Sequence, residues 1–387
     1  MTSSTSPTTT TSQQQLPVII VGAGPCGLVA ALALQQYGVP FKIIERASRS
    51  KICSNAGSGF ELAPTSVDIF KNRLGVDITK FMTYYDAMRV VTMEGKLLRE
   101  AKLPMDYEGG AVNRSDMQNH LLQILFPSPS DEEGVLFCGS GIDSYQENEA
   151  EHSVTAKLAS GESITGCVLL ACDGIMSRCR AVLHGGYDTN QDWEANTKRG
   201  NRMDPLHFCN AMAYWGKTSA PVGSDLYNEF AKTQQARGID KCVALLGLPT
   251  KKAPSSFFCV PSKNKTMLNW DFTIQSDARQ VSKNNEGSDL TRRGGRVLTQ
   301  DEKKRLFDFT SHAKDSESIV KGVKDYPLLE KMIANTPAED ITEAGLYDRE
   351  NLNLPYTSDS KLVALLGGKY LYLQRKMQLC TFCSLKF

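Results

Sequence analysis

The chain has 387 residues, a length typical of two or three domains. Hydrophobic residues make up 41% of it and charged residues 22%, with 44 basic against 43 acidic side chains. This is the composition of a globular protein. It excludes wholesale disorder and argues against a surface devoted to nucleic acid or to an anionic membrane.

The N-terminal region carries no charged residue from Thr2 to Phe41. Residues 1–16, rich in Ser, Thr and Gln, are predicted to be a disordered tail. The apolar stretch over residues 16–34 contains glycines and a proline and lacks flanking basic residues, so we expect neither a signal peptide nor stable membrane insertion. The eleven cysteines favour reduced thiols in a cytoplasmic protein, with organellar targeting as the alternative.

The spacing of cysteines and histidines in this chain gives little evidence for a metal site. Cys380 and Cys383 form the only Cys-x-x-Cys pair, and no second pair completes a zinc site. The five histidines are isolated from one another in sequence. We therefore predict no metal site.

A short β-branched run followed by closely spaced glycines forms the first motif. Residues 16–21 predict a buried strand, and residues 22–27 read Gly-Ala-Gly-Pro-Cys-Gly. Residues 28–37 predict a helix, and Gly38 is the C′ glycine that ends it. Residues 41–45 predict a second strand. Together they predict a complete β-α-β unit.

The glycines of this unit suit dinucleotide binding. Gly22 permits a tight turn, Gly24 lets the backbone approach a pyrophosphate, and Gly27 lets the helix pack close to the sheet. Glu45 ends the second strand, where an acid accepts a hydrogen bond from a ribose 2′-hydroxyl, which favours FAD or NAD over NADP. The alternative is a glycine-rich turn in an unrelated α/β protein.

Two later segments add to this motif. Arg114 lies at the start of an amphipathic helix, with leucines following at helical spacing. Residues 168–172 predict a buried strand that leads into Asp173 and Gly174, followed by a helix through residue 183. An Asp-Gly pair at the carboxyl end of a parallel strand suits a ligand contact, and a simple turn is the alternative interpretation.

In their order and spacing, these segments resemble the FAD-dependent group A, or aromatic-hydroxylase-type, flavoprotein monooxygenases. The resemblance rests on the glycine motif, the Arg114 helix and the Ala-Cys-Asp-Gly segment at 171–174 with Ser177 and Arg180. The Tyr-Asp-Arg-Glu stretch at 347–350, which precedes an apolar run at 361–367, supports it further. It covers residues 17–367.

The resemblance implies an α/β fold, with a Rossmann-like FAD-binding domain and an interleaved, mostly antiparallel β-sheet substrate domain. Residues 17–185 and 340–368 would form the FAD-binding domain and residues 186–339 the substrate domain, with 88–104 contributing to the substrate layer. The sequence itself predicts a hairpin over 88–93 and 96–100, strands over 207–215, 242–248, 256–260 and 266–275, a loop over 283–296, and helices over 301–311 and 326–335.

The resemblance also implies a reaction. NAD(P)H, as a transient co-substrate, would reduce FAD, and O₂ would form a flavin C4a-hydroperoxide that hydroxylates or epoxidises a small organic substrate. A flavin-dependent reductase or dehydrogenase on the same fold, or an inactive nucleotide-binding fragment, is the alternative. The implied cofactor-binding residues are Gly22, Gly24, Gly27, Glu45, Arg46, Arg114, Asp173 and Gly174.

Other roles stay open in the sequence. Arg114 has an alternative reading as a solvated arginine at a helix start, and no catalytic side chain is identified. The apolar residues Met212, Tyr214, Trp215, Phe257, Trp270 and Phe272 are candidates for a substrate pocket, with packing in the core preferred for each. Neither the substrate nor the oligomeric state is predicted.

The last motif departs from the family pattern. Gly368 stands where the family has the Asp of a Gly-Asp motif that contacts the flavin ribityl chain, and residues 369–387 do not resemble the family. Residues 368–370 can be encoded by GGT AAG TAT, which contains a string like a 5′ splice donor. We therefore hypothesise that 369–387 is translated intron and that this form binds FAD weakly. A natural truncation or a divergent paralogue is the alternative.

Overall fold

The computed structural model describes residues 15–52, 54, 59–93, 95–104, 106–174, 177–184, 206–234, 241–248, 255–262, 266–275, 296–310, 318–320, 326–349 and 355–367. Residues 1–14 of the predicted tail at 1–16, most of the predicted loop at 283–296, and residues 368–387 with the Cys380–Cys383 pair lie outside these residues.

The described residues contain eighteen strands and eight α-helices. The strands are β1 (Val18–Val21), β2 (Phe41–Glu45), β3 (Gly59–Leu62), β4 (Met82–Thr92), β5 (Leu97–Lys102), β6 (Gly110–Asn113), β7 (Leu136–Cys138), β8 (Ile142–Asn148), β9 (Ser153–Leu158), β10 (Ser163–Gly166), β11 (Val168–Ala171), β12 (Leu206–Ser219), β13 (Lys241–Leu248), β14 (Ser255–Ser262), β15 (Met267–Gln275), β16 (Arg296–Val297), β17 (Thr342–Arg349) and β18 (Val363–Leu365). The helices are α1 (Pro25–Gln36), α2 (Arg49–Ile52), α3 (Pro64–Asp68), α4 (Arg114–Leu125), α5 (Arg178–Leu183), α6 (Asp225–Gln234), α7 (Gln300–Leu306) and α8 (Pro327–Ala334).

Five parallel strands form the first sheet, in the order β18-β11-β1-β2-β7. β1 lies at its centre, where Val21 pairs with Ala171 on one side and Ile44 on the other. All four residues of β1 are buried, as expected when both faces of a parallel sheet are covered. Helices α1 and α4 cover one face, and α5 with the antiparallel sheet β10-β9-β8 covers the other.

Ten strands form a second sheet, in the order β16-β17-β12-β15-β14-β13-β4-β6-β3, with β5 paired to β4. All its pairings are antiparallel except that of β13 with β4. The predicted hairpin is therefore present as β4 and β5. The four strands β3–β6 enter this sheet from the segment between β2 and β7, as an interleaved architecture requires.

Strand pairing places two segments in the second sheet that lie outside the predicted bounds of the substrate domain. β17 pairs with β12 and β16, so residues 342–349 lie in the second sheet rather than with the FAD-binding domain. Strands β3 and β6 also pair in that sheet, so the segment inserted into it begins well before residue 88. Sequence patterns predict where a strand runs, but the partner that it pairs with depends on distant residues.

One face of the second sheet packs against α6, α7 and α8 in a core rich in aromatic rings. Trp270, which is 1% exposed, donates from Nε1 to Thr218 Oγ1 at 2.9 Å. The sheet curls strongly and brings β3 close to β15. A Cβ added at Gly59 in β3 would lie 3.0 Å from the Asn269 side chain in β15. The opposite face of the sheet is therefore concave.

The helix bounds differ from those expected in two informative ways. α1 begins at Pro25, not at residue 28, because Gly24 is the N-cap and proline is tolerated in the first turn. α7 ends at Leu306, five residues before the predicted end. Gly38 follows α1 with φ +65°, as predicted for a C′ glycine. Among the residues described, no helix is both long and apolar enough to cross a bilayer.

Candidate nucleotide-binding site

The carboxyl ends of four parallel strands meet at one edge of the first sheet. Gly22 N donates to Ile44 O at 2.7 Å, and Cys172 N donates to Val21 O at 2.8 Å. Leu366 N, just past β18, donates to Ala171 O at 2.8 Å. Because ligands of open α/β sheets bind outside the carboxyl ends of the strands, this edge is the candidate site.

Gly22 and Gly27 are required by close backbone packing. Gly22 has φ +104°, and a Cβ there would lie 2.5 Å from Cys172 O. A Cβ at Gly27 would lie 1.8 Å from Gly22 O. Both distances are too short for any side chain, so these two glycines let the strand, the turn and α1 pack together.

Gly24 differs from its two neighbours, because a Cβ added there would meet no atom within 4 Å. Gly24 is the N-cap of α1, and the first intrahelical bond runs from Leu28 N to Gly24 O at 3.0 Å. The N–H groups of the first turn of a helix have no intrahelical partner, so they point outward and favour the binding of an anion. The open side of Gly24 at this helix end is a cradle that fits a pyrophosphate.

Glu45 holds the glycine loop against the end of β2. Its Oε2 accepts from Ala23 N and its Oε1 from Ala47 N, each at 2.7 Å. A carboxylate has about four lone-pair positions, so two remain for the predicted ribose hydroxyl contact. Arg46, the next residue, is exposed, and its Cβ lies 3.3 Å from where Gly141 would carry a Cβ.

Arg114 connects to the same loop through a neighbour on α4. Its Nε donates to Gln118 Oε1 at 2.8 Å, and Gln118 Nε2 donates to Ala23 O at 3.0 Å. Gln118 is 2% exposed, whereas Arg114 is exposed. Sequence reasoning did not identify Gln118, although its position one turn after Arg114 places the two side chains on one helix face.

Asp173 caps the helix that follows it. Its Oδ2 accepts from Arg178 N at 2.7 Å and from Cys179 N at 3.2 Å. Its Oδ1 is buried and has no hydrogen-bond partner within the described part of the chain. Gly174 has φ +77°, as a turn leaving the strand requires. Asp173 therefore caps α5 through Oδ2, and its Oδ1 is available to accept a hydrogen bond from a ligand hydroxyl.

Two cysteines meet behind this edge. Cys26, in the first turn of α1, and Cys172, just past β11, have Sγ atoms 3.8 Å apart. The contact with Cys172 lowers the pKa of the Cys26 thiol to about 7, although partial burial opposes the shift. The same contact and its deeper burial raise the pKa of Cys172.

A pocket lies on the inner face of the curled second sheet. Phe60, Phe258 and Val260 form its apolar walls, and Asn269 and Asp271 contribute polar side chains from β15. Burial raises the pKa of Asp271 to about 7. An aromatic and aliphatic pocket with a few polar groups is typical of small-molecule sites.

Two buried amides without partners flank Gly59 beside this pocket. Asn269 is 4% exposed and Asn113 is fully buried. Neither side chain has a hydrogen-bond partner within the ranges described. Gly59 pairs with Asn113 across β3 and β6, and its added Cβ would lie 3.0 Å from Asn269 Nδ2. Buried amides without partners are costly, which is evidence for a ligand here.

The pocket and the nucleotide edge are connected through α4. Lys217 in β12 pairs with Asn269, and its Nζ donates to Ser115 Oγ at 3.4 Å. Ser115 directly follows Arg114 in α4. The inner face of the second sheet is therefore held against the same helix that contacts the glycine loop through Gln118.

The apolar candidates of the sequence separate into two groups. Met212, Tyr214, Phe257, Trp270 and Phe272 all belong to the aromatic core, as the preferred reading predicted. Trp215 pairs with Asp271 instead, and its Nε1 is buried without a partner among the described residues. Sequence reasoning missed Asn269 and Asp271, because polar residues alternating with Leu268, Trp270 and Phe272 predict a solvent-facing side.

Comparison with known proteins supports this site. A family model described as "FAD binding domain" matches residues 15–207. Asperlicin C monooxygenase of Petromyces alliaceus is 25% identical over 176 residues, which cover 44% of this chain and 36% of that protein. The FAD-dependent monooxygenase dbaB of Emericella nidulans is 29% identical over 195 residues, 46% and 44% of the two chains. The matched region spans less than half the length of these curated relatives.

Solved structures with the same fold extend the likeness to the second sheet. CtdE in complex with FAD and its substrate has a TM-score of 0.64 at 16% identity, covering 91% of this chain and 74% of that chain. HpxO of Klebsiella pneumoniae, complexed with FAD and uric acid, has a TM-score of 0.61 at 18% identity, covering 91% and 72%. A salicylate hydroxylase substrate complex has a TM-score of 0.59 at 21% identity, covering 92% and 73%.

These likenesses confirm the predicted fold class, a Rossmann-like FAD-binding part with an interleaved, mostly antiparallel sheet. Residues 15–207 therefore match the model of an FAD binding domain, and the curated proteins that are similar to this part of the chain include FAD-dependent monooxygenases.

Proposed function

We propose that this protein is an FAD-dependent monooxygenase that uses NAD(P)H and O₂ to oxygenate a small organic molecule. The observation that carries the proposal is the open side of Gly24 at the start of α1, among four converging strand ends. When bound, the flavin supplies the redox chemistry with NAD(P)H and O₂. The residues of this chain hold the cofactor and position the substrate.

The cofactor's adenosine half would bind along the strand ends. The outward N–H groups at the start of α1 would donate to the pyrophosphate beside Gly24. Glu45, already fixed by two backbone N–H groups, would accept from the ribose hydroxyl. Asp173 Oδ1, buried without a partner in the described residues, would accept from a further hydroxyl. Arg46, Arg114 and Gly174 surround this path, and Arg114 adds positive charge from α4.

The substrate would bind in the pocket of the second sheet. Its apolar walls, Phe60, Phe258 and Val260, exclude water. The buried amide of Asn269 would donate to and accept from the substrate, which compensates for its missing partners. Asp271, whose pKa is raised to about 7 by burial, can hold or release a proton near neutral pH.

Oxygen incorporation tests the proposed reaction. Protein loaded with FAD is incubated with NADPH or NADH, a set of small aromatic compounds and ¹⁸O₂, and the products are analysed by mass spectrometry. We expect one ¹⁸O atom in a product and faster NAD(P)H oxidation with that compound present. Substrate-dependent NAD(P)H oxidation without ¹⁸O in the product would instead identify a reductase or dehydrogenase.

We also propose that this chain holds the adenosine half of FAD better than the flavin half, because Gly368 replaces the aspartate of the family motif. Titration with ADP, FMN and FAD separates the two halves. We expect ADP and FAD to bind with similar affinity and FMN to bind much more weakly. The variant Gly368→Asp should raise the affinity for FAD but not for ADP.

The intron hypothesis for residues 369–387 has its own test. Sequencing of the transcript and gene across codon 368 should reveal the string GTAAGT and a downstream exon that encodes Gly-Asp-Ala. Codons that do not spell a splice donor would reject the hypothesis. Tight binding of FMN by the 387-residue chain would reject the proposed weakness of the flavin half.

A further inference from the structure

We infer that Cys26 and Cys172 form a reversible intramolecular disulfide that controls access of the cofactor to its cradle. The two Sγ atoms lie 3.8 Å apart, and a disulfide requires about 2.05 Å. The sulfurs must therefore approach by somewhat less than 2 Å, within reach of side-chain rotation and a small movement of the helix end.

The two thiols have the unequal reactivity that such chemistry needs. Cys26 is partly exposed and lies in the first turn of α1, where the helix end stabilises a thiolate. Contact with Cys172 lowers the pKa of Cys26 further, to about 7. Cys172 is 7% exposed, and its pKa is raised. Cys26 is thus the thiol that attacks an oxidant, and Cys172 is the thiol that then attacks the oxidised sulfur of Cys26.

The oxidant is a hydroperoxide, with hydrogen peroxide as the simplest example. The Cys26 thiolate attacks one peroxide oxygen, so that an S–O bond forms, the O–O bond breaks and water leaves after protonation. The Cys172 sulfur then attacks the Cys26 sulfur. The S–S bond forms, the S–O bond breaks, and the hydroxide leaves as water with the Cys172 proton. Two thiols lose two electrons and one peroxide becomes two waters; a dithiol reductant reverses the change.

The disulfide would alter the cradle because Cys172 has little room to move. Its N–H donates to Val21 O at 2.8 Å, and its carbonyl oxygen already lies 2.5 Å from the place of a Gly22 Cβ. The movement must therefore come from Cys26 and the start of α1, where the phosphate-facing N–H groups lie. Loss of one hydrogen bond to a charged phosphate weakens binding about tenfold. By linkage, bound nucleotide should slow the oxidation.

Peptide mapping of the full chain tests the disulfide itself. The first basic residue is Lys42, so trypsin releases Cys26 on residues 1–42 and Cys172 on residues 158–178. After treatment with hydrogen peroxide we expect these two peptides to be joined, and to separate after dithiothreitol. Residues 158–178 also contain Cys167, so Cys167→Ser, which keeps the link, is the matched control for Cys172→Ser, which should abolish it.

Nucleotide binding tests the consequence. ADP and FAD affinities are measured by calorimetry for reduced and for crosslinked protein, with Cys26→Ser and Cys172→Ser as variants that peroxide should not affect. We expect the crosslinked chain to bind both nucleotides at least tenfold more weakly, and ADP to protect Cys26 from oxidation. Absence of the joined peptides overturns the inference, and so does equal ADP affinity in the two states.

Discussion

The glycine cradle and the pocket of the second sheet satisfy their polar groups in different ways. In the cradle, Glu45 and Gln118 are hydrogen-bonded to the loop that they support. In the pocket, the amides of Asn113 and Asn269 are buried with no partner in the described residues. The cradle is thus shaped by the chain alone, whereas the pocket depends on a ligand to satisfy its polar groups.

Substitution of Gly27 should break the cradle most severely. Gly27→Ala places a Cβ 1.8 Å from Gly22 O, a backbone atom that cannot rotate away. We expect a loss of unfolding free energy of about 3 kcal/mol or more, measured by urea denaturation. Gly24→Ala is the matched control, since its Cβ meets no atom within 4 Å, and its stability should be unchanged. Equal stability of the two variants would contradict the packing described here.

Substitution of Glu45 should loosen the loop without adding bulk. Glu45→Gln replaces one carboxylate oxygen by an NH₂ group, which would face the N–H of Ala23 or Ala47. We expect a loss of about 2 kcal/mol of unfolding free energy. Glu61, whose exposed carboxylate accepts from Tyr107 Oη, gives the control Glu61→Gln with no measurable loss. A neutral effect of Glu45→Gln would show that the loop does not need this carboxylate.

Substitution of Asn269 in the pocket should increase the stability of the protein, whereas the two cradle substitutions above should decrease it. Asn269→Leu removes a buried amide without partners and keeps a similar volume. We expect unfolding free energy to rise by about 1 kcal/mol, while binding of a pocket ligand weakens. Thermal and urea denaturation of the ligand-free protein check the first effect. A clear loss of stability would mean that Asn269 is satisfied within the fold.

Asp271 should make the stability of the protein depend on pH. Burial raises its pKa from 3.8 to about 7, so between these values the folded state binds more protons than the unfolded state. Stability from this group is therefore full below about pH 4 and is lost as the pH rises through 7. Compared with Asp271→Asn, the unmodified protein should lose stability between pH 5 and pH 8, as urea midpoints would show. Parallel pH profiles would contradict the raised pKa.

The β-α-β unit that carries the proposed cradle could be predicted from sequence patterns because its determinants are local. The strand, the glycines and the helix of the β-α-β unit follow one another directly, and the acidic end of β2 comes soon after. Arg114 and Asp173 were found through the same family order. Gln118 and the meeting of Cys26 with Cys172 were not, because each contact joins segments that only the completed sheet brings together.

The pocket was not predicted because its polar face resembles a solvent-facing one. Asn269 and Asp271 alternate with buried neighbours, as in a strand with one exposed side. Asn269 is buried and Asp271 half-buried because β3 curls back towards β15. Likewise, residues 342–349 were placed with the FAD-binding domain, since their sequence does not reveal that β17 pairs with β12 in the second sheet.

The central claim is that the open side of Gly24 at the start of α1 holds the FAD pyrophosphate. Calorimetric titration of the unmodified protein and of Gly24→Ala with ADP and with FAD tests it most directly. We predict that the unmodified protein binds both, and that Gly24→Ala, with unchanged stability, binds each at least about tenfold more weakly, since its methyl group occupies the phosphate position. Equal affinities in the two proteins would contradict the account.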